Sequence, residues 1–557
     1  MKKSLSIIDD RNIYLTLLVG IFTLCVSNLY TQSYQHTYFI PFTDKDNTPY
    51  NIDQPDAFLS TRAITRRENR NIPVTVQDLP VDPNYIFSIR NLEGVSFRYP
   101  LKWFNGAVIS VQDTMVLTEI RDFDFVKSNE IVYTSPALDL SGKKSKTVKV
   151  KGKPPEISNE NQWGESKAQI RQIGIDSLHL LNFTGNGILI GVLDAGYSEA
   201  KEIEAISHLF ENNKIKGERD FVSRTGSQLY ASSTHGTAVL TTMAAKKPGE
   251  ILGTAPDADY LLIRTENGAE EFEFLVEEYN WIAGAEYADS AGADILNTSL
   301  GYTEFEDKTQ NHTYEDLDGH TTPITKASNI AFSKGMLIVN SAGNLGNRSW
   351  EYISAPADGK DVLAVGGVND KGKRVGFSGI GPNSAGQIKP DVMALGQSVV
   401  SAHTSPADVR LVSGTSFSSP LIAGAAACLW QAYRELSHEE MKSHIIKSAH
   451  LYPDSSNTMG FGIPNFGTVY KMLEEAEVDS VMTKRDEKTL LYPNPAYESI
   501  TVITSMGGNY TIQDIQGKPV SSGTIERKKT INIQSLVPGV FIFKLNNERI
   551  KFVKEKY

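Results

Sequence analysis

The chain has 557 residues, 40% of them hydrophobic, a formal net charge of −11 and two cysteines. That length leaves room for about three or four domains with sizeable cores. The acidic excess is dispersed along the chain, which argues against a phosphate-binding surface and hence against a nucleic-acid partner.

At the N-terminus, Lys2 and Lys3 precede the apolar run Ile13–Val26, which is shorter than the roughly 20 residues needed to span a bilayer. Residues 1–32 therefore read as a signal peptide. Asp9-Asp10 and the lack of an Ala-x-Ala site keep an uncleaved anchor as the alternative. Removal of the signal leaves only Cys428, in the small-residue run Ala425-Ala426-Ala427-Cys428, which reads as a buried packing thiol. Residues 36–138 read as an α+β unit whose last elements are a strand (Ala107–Val111), a helix (Asp113–Arg121) and a strand (Glu130–Tyr133). A Lys-, Pro-, Ser- and Asn-rich linker, 139–162, follows.

The next segment carries chemistry. The strand-like run Ile188–Leu193 ends in Asp194-Ala195-Gly196, which sets a carboxylate at the carboxyl end of a parallel strand, where open α/β sheets place their sites. Ser233-Thr234-His235-Gly236-Thr237 opens a small-residue helix with an imidazole at its entry. Further strands at Tyr260–Arg264, Asp294–Thr298, Met336–Val339 and Val362–Gly366, mostly separated by helix-period stretches, predict a doubly wound parallel sheet over residues 163–474. Asn340-Ser341-Ala342-Gly343-Asn344 follows the strand Met336–Val339. Ser413-Gly414-Thr415-Ser416 then leads into the apolar run Leu421–Trp430, which puts the Ser416 hydroxyl at the start of a buried helix. Unpaired N–H groups and the positive helix end favour an oxyanion there. Taken alone, Ser416 could be an ordinary N-cap. Together the three side chains fit a single chemistry, in which Ser416 attacks, His235 takes its proton, and Asp194 fixes the imidazole tautomer.

The motifs Val192-Leu193-Asp194-Ala195-Gly196, His235-Gly236-Thr237 and Gly414-Thr415-Ser416-Phe417-Ser418-Ser419-Pro420, in the order Asp, His, Ser, resemble the subtilisin-like serine peptidases, or subtilases. The family more often has Asp-Thr-Gly in the first and Ser-Met-Ala in the third. The resemblance covers roughly residues 163–470 and implies a serine endopeptidase working through an acyl-enzyme. It implies Asn344 as the side-chain donor of the oxyanion hole, and Ser299, Leu300 and Gly301 as the lining of the S1 pocket. Gly253-Thr254-Ala255-Pro256 is a lesser mark of the same kind. No cofactor is required. Structural calcium is allowed, but the acidic stretch Tyr314-Glu315-Asp316-Leu317-Asp318-Gly319 lacks a ligand pattern and reads as a solvated loop. Glu266, Glu270, Glu271 and Glu273 read as acids stabilising a helix start, against the alternative of an acidic patch that favours basic peptide residues. Ser437-His438-Glu439-Glu440 reads as a capping box and does not complete a His-Glu-x-x-His metal motif.

Subtilases commonly carry an inhibitory pro-domain ahead of the catalytic domain, and Trp103-Phe104-Asn105-Gly106 through Tyr133 is similar to the end of one. A docked template would help a fold of high contact order to form; a retained β-rich domain is the alternative. At the other end, alternating runs Ser499–Thr504, Tyr510–Ile515, Thr530–Ile533 and Val540–Leu545 predict a small β-sandwich over 488–557. Leu491-Tyr492-Pro493-Asn494-Pro495-Ala496 and Leu536-Val537-Pro538-Gly539 resemble the C-terminal sorting domain of type IX secretion substrates. That resemblance implies export through the periplasm to the surface of a Gram-negative cell or beyond it, and contact with the type IX machinery; a substrate-binding module is the alternative. The reading is an exported, monomeric serine endopeptidase acting on proteins or peptides. The competing reading is a surface protein of subtilase fold that binds without cleaving, an adhesin.

Overall fold

The computed structural model describes residues 35–137, 162–223, 227–268, 273–404, 409–485 and 489–555. The expected signal peptide and most of the linker lie outside these. Among the described residues no helix is long and apolar enough to cross a membrane.

The N-terminal unit is an antiparallel sheet of β1 (Gln35–Pro41), β2 (Val95–Leu101), β3 (Gly106–Val111) and β4 (Val132–Ala137), in the order β2-β3-β1-β4. With it are helices α1 (Thr61–Asn69), α2 (Pro83–Arg90) and α3 (Val116–Arg121). Ile40, Ile89, Ile109, Leu117 and Ile120 form a core of its own. The opposite sheet face, with Phe39, Tyr99, Leu101 and Trp103, joins a core cluster of the next domain.

That domain is built on a parallel seven-stranded sheet of β5 (Leu189–Asp194), β6 (Ile215–Asp220), β9 (Asp259–Arg264), β10 (Ile295–Thr298), β11 (Leu337–Ser341), β12 (Leu363–Val368) and β13 (Val392–Leu395), in the order β13-β12-β11-β10-β5-β9-β6. A short antiparallel pair, β7 (Lys246–Lys247) and β8 (Ile251–Leu252), lies outside it. Strand β5 is buried along its whole length, as a continuous apolar run in a covered parallel sheet should be. One face of the sheet is covered by α4 (His235–Ala244) and α7 (Thr415–Ala432), the other by α5 (Leu275–Ala291) and α6 (Pro323–Ser333). The hairpin β14 (Val399–Ala402) and β15 (Val409–Val412) precedes α7.

After α8 (His438–Lys447), whose Ser437–Glu440 capping box forms as expected, helix α9 (Phe466–Arg485) carries the chain past residue 474. The C-terminal unit has two antiparallel sheets, β16 (Thr489–Tyr492), β17 (Ser499–Thr504) and β20 (Lys528–Asn532) in one, and β18 (Gly508–Asp514), β19 (Pro519–Ile525), β21 (Gly539–Leu545) and β22 (Glu548–Lys554) in the other. Val502, Ile512, Ile531, Phe543 and Phe552 fill the shared core, which makes it the expected sandwich.

The N-terminal unit docks on α5. Glu286 Oε2 and Oε1 accept from the N–H groups of Lys102 and Trp103, each at 2.8 Å; burial pushes the Glu286 carboxyl up to about 7. Asp289, fully buried near the carboxyl end of α5, meets Arg66 at 2.5 Å, Arg67 at 2.9 Å and Lys102 at 3.2 Å. An acid at that end opposes the helix dipole, so these cations are what make it tolerable. Asp289→Ala would leave Arg66 and Arg67 buried without that carboxylate, at a cost of about 3–5 kcal/mol. The N-terminal unit should then bind the processed enzyme about 10²- to 10⁴-fold more weakly, read as its dissociation on dilution.

Candidate active site

Asp194 is the last residue of β5 and His235 the first of α4. His235 Nδ1 meets Asp194 Oδ1 at 2.7 Å, and the same oxygen accepts the Ala195 N–H at 2.8 Å. The Asp194 carboxylate is fully buried, while the imidazole is about a third exposed at 34%. Gly236 makes the approach possible: a Cβ there would stand 2.5 Å from the Gly196 carbonyl oxygen and 2.9 Å from Asp194 Cβ. Arg264, itself paired with Asp220 at 3.2 Å, donates from Nε to the Ala195 carbonyl at 3.1 Å and so pins the turn behind the carboxylate.

Burial disfavours the His235 imidazolium, but the charge and hydrogen bond of Asp194 outweigh it and leave the pKa above the ordinary value of 6.5. The sign follows directly. A base must be neutral, so activity should rise with pH through a midpoint displaced upward from that of a free histidine, the direction in which Asp194 moves it. A pH–rate profile of kcat/KM, flat from pH 5 to 8 with chemistry rate-limiting, would contradict that role.

Ser416 is the second residue of α7, behind the cap residue Gly414. Gly414 has φ of 149°, a conformation that glycine adopts freely and other residues seldom do. The next ring, Phe417, lies 5.7 Å from that of His235, which brings the helix start beside the imidazole. Ser416 Oγ donates to the Ser299 carbonyl at 3.1 Å, and Ser299 Oγ donates to the Ser416 carbonyl at 2.7 Å. Pro420 explains the second bond. It has no N–H to return to the Ser416 carbonyl four residues earlier, and the Ser299 hydroxyl supplies the missing donor.

Asn344 follows β11. Its Oδ1 accepts from the Thr415 N–H at 2.8 Å and the Thr415 hydroxyl at 3.0 Å. That orientation leaves Nδ2, 3.6 Å from where a Gly414 Cβ would stand, as the group available to donate. Leu300 and Gly301 continue from Ser299; the Leu300 carbonyl accepts from Asn340 Nδ2 at 3.2 Å, and a Cβ on Gly301 would meet Ser354 Oγ at 2.3 Å. Ser354, which also underlies Gly343, could not be found from the sequence, because it lies in a loop with no motif of its own. Thus the structure assembles Asp194 with His235, and Ser416 with Ser299 and, through Thr415, Asn344.

The acidic stretches differ from expectation. Glu266 and Glu273 are not residues of a helix start, since α5 begins at Leu275 and its first-turn acids are Glu277 and Glu278. They pack with Glu277, and burial followed by their mutual repulsion raises the carboxyls of Glu266 and Glu277. Glu270 and Glu271 lie outside the described residues. In the 314–319 stretch the carboxylates bind their own turns: Asp316 accepts from Thr313 and Asp318 from His320 and Thr321. Among the described residues no group of three or more His, Cys, Asp or Glu is arranged to hold a metal ion. Cys428 is fully buried, as expected.

A buried carboxylate with an imidazole bonded to it and a helix-start serine, all at the carboxyl edge of a parallel sheet, are the residue types that the nucleophilic serine hydrolases use. Comparison with known proteins makes this specific. The family described as "Subtilase family" matches residues 185–462, "Peptidase S8 propeptide domain, Bacteroidota" matches 37–151 and "Secretion system C-terminal sorting domain" matches 490–556. Subtilisin DY of Bacillus licheniformis is 30% identical over 287 residues, 51% of this chain and 91% of that protein. A thermostable alkaline protease of Halalkalibacterium halodurans is 29% identical over 363 residues, 64% of this chain and 87% of that protein. A solved protease structure from Pseudoalteromonas arctica aligns with a TM-score of 0.43 and 21% identity, covering 56% of this chain and 99% of that one. The chain belongs to the subtilase family and is a serine-type endopeptidase with a propeptide and a type IX sorting domain, secreted or displayed at the cell surface.

Proposed function

We propose that Asp194, His235 and Ser416 are the catalytic triad of a secreted endopeptidase that cleaves proteins or peptides as a monomer. The observation that carries this is the 2.7 Å contact of His235 Nδ1 with the buried Asp194 carboxylate. With Nδ1 held, Nε2 is the nitrogen that takes the Ser416 proton as Oγ adds to the scissile carbonyl. The proton then passes to the leaving amine, and water returns the acyl-enzyme to free serine by the same steps. Asn344 Nδ2 and the N–H groups at the start of α7 stabilise the oxyanion. Removing such an Asn costs about 10²–10³ in kcat, a size measured in subtilisin itself. Ser299, Leu300 and Gly301 line the S1 side and pair with the substrate backbone.

We assign residues 1–32 to the signal peptide, 36–138 to the pro-domain, 139–162 to the linker, 163–474 to the peptidase and 488–557 to the sorting domain. Self-cleavage falls between about Pro136 and Trp163. A fluorophosphonate probe tests the catalytic reading: the mature enzyme should be labelled at Ser416, and a folded protein that resists the probe would favour the adhesin reading. The sorting domain contributes no residue to the site. A chain ending at Lys484 should therefore keep peptidase activity and accumulate in the periplasm, measured by fractionation; normal secretion of that chain would overturn the sorting role.

A further inference from the structure

The segment that leaves β9, Thr265 to Gly268, touches both members of the proton-transfer pair through their neighbours. Thr265 N–H donates to the Asp194 carbonyl at 3.0 Å, and the Thr265 carbonyl accepts from Asn280 Nδ2 at 3.0 Å. At Gly268 there is no room for a side chain, since a Cβ would lie 2.8 Å from Ala195 Cβ and 3.0 Å from Ser233 Cβ. One of those neighbours follows Asp194 and the other stands two residues before His235. Thr265 is held by its two bonds; beyond it, the segment is tied by a carboxyl group on α5. Glu277 Oε1 accepts the Asn267 N–H at 2.7 Å and Oε2 accepts the Phe274 N–H at 2.8 Å, so Asn267 and Phe274 are both tied to one side chain that is 2% exposed.

A capping-box glutamate needs to accept only the N-cap N–H, which here is that of Phe274. The second bond, to Asn267, has no helix-capping purpose. Burying this group is also costly, because desolvation and the charge of Glu273 beside it raise its carboxyl well above the usual range. A purely structural staple would be cheaper at the surface.

We propose that Glu277 is a positioning residue for catalysis, which holds Thr265–Gly268 against Ala195 and Ser233 and thereby sets the Asp194–His235 geometry. This rests on the reading of Asp194 and His235 as the catalytic pair. Glu277 does not touch the reacting atoms and acts through the backbone on either side of that pair. The amide of Glu277→Gln keeps the shape but can accept through only one atom, so either Asn267 or Phe274 loses its partner.

The test uses the full chain, matured where necessary in trans by wild-type enzyme that is then removed. Glu277→Gln, Glu277→Ala and Gly268→Ala are compared with wild type by circular dichroism, by the rate of fluorophosphonate labelling, and by kcat and KM on one peptide. Each folded variant should label about 10- to 100-fold more slowly, the scale of a misplacement near 1 Å, and kcat should fall to the same extent with KM within about twofold. Labelling within about twofold of wild type, or a loss confined to KM, overturns the proposal. Gly268→Ala reaches the same segment from its other side and decides alone if the Glu277 variants do not fold. Failure of the wild type itself to label at Ser416 sinks the catalytic reading instead, so the two failures are told apart.

Discussion

Ser416→Ala should yield a folded, exported precursor whose turnover has fallen by about 10⁶, the size seen for the equivalent deletion in subtilisin. The substitution removes one oxygen from a residue that is 6% exposed and already helical, and alanine is the best helix former. The Ser299 carbonyl loses a donor, yet the Ser299 hydroxyl still serves the Ser416 carbonyl that Pro420 leaves unpaired, so the helix start should keep its place. A residual rate of about 10³–10⁴ over water should remain from binding and the oxyanion donors. Because the same serine performs self-cleavage in this reading, the purified variant should accumulate uncut and take no fluorophosphonate. Labelling at another serine would sink the assignment of the nucleophile, and normal maturation would mean that a different enzyme makes the cut.

Asp194→Asn should cost about 10⁴ in kcat while leaving the fold intact. The carboxylate does two things through Oδ1: it holds the Nδ1–H tautomer and, by its charge, raises the His235 pKa. An amide of the same shape removes the charge and can present an NH₂ to Nδ1, which favours the tautomer with the proton on Nε2, where it blocks general-base action. The pH profile separates this from simple damage. Whatever activity survives should show its acidic limb at lower pH than wild type, because burial, which lowers the imidazole pKa, now acts unopposed. An unmoved limb, or a loss of less than about tenfold, would show that Asp194 does not orient the base.

The parts of the site that depend on short range were legible in the sequence. Asp194, His235 and Ser416 each stand at an element end inside a motif whose small residues have a steric reason, as Gly236 and Gly414 show. The strands β5, β10, β11 and β12, fully buried, and β9, buried beyond Asp259, were legible as apolar runs. Strand β6 was not, because it is an edge strand whose Lys216, Glu218 and Arg219 read as surface, and β13 is only four residues long behind Pro390. In the sandwich, β16, β19 and β22 were missed for similar reasons: β16 is short, β19 is largely exposed, and β22 interleaves Glu548, Arg549, Lys551 and Lys554 with its apolar residues. Long-range pairing was the other blind spot. Nothing local in Arg66, Arg67 or Asp289 indicates that they meet, and Glu277 reads as an ordinary helix-start acid until Asn267 and Phe274 are seen at its two oxygens.

The docking of the N-terminal unit on α5 also bears on how long the mature enzyme lasts. Joined through residues 139–162, the unit meets Asp289 and Glu286 at an effective concentration on the order of millimolar. A cut in the linker leaves the contacts at Glu286 and Asp289 in place, but it turns an intramolecular equilibrium into one that depends on the concentration of free fragment. Any partner that binds only the folded state stabilises it by RT ln(1 + [L]/Kd). Outside the cell [L] falls towards zero, and that contribution vanishes with it. The fold is thus assembled under conditions more favourable than those in which it works, and its lifetime afterwards is set by the height of the unfolding barrier rather than by its equilibrium stability.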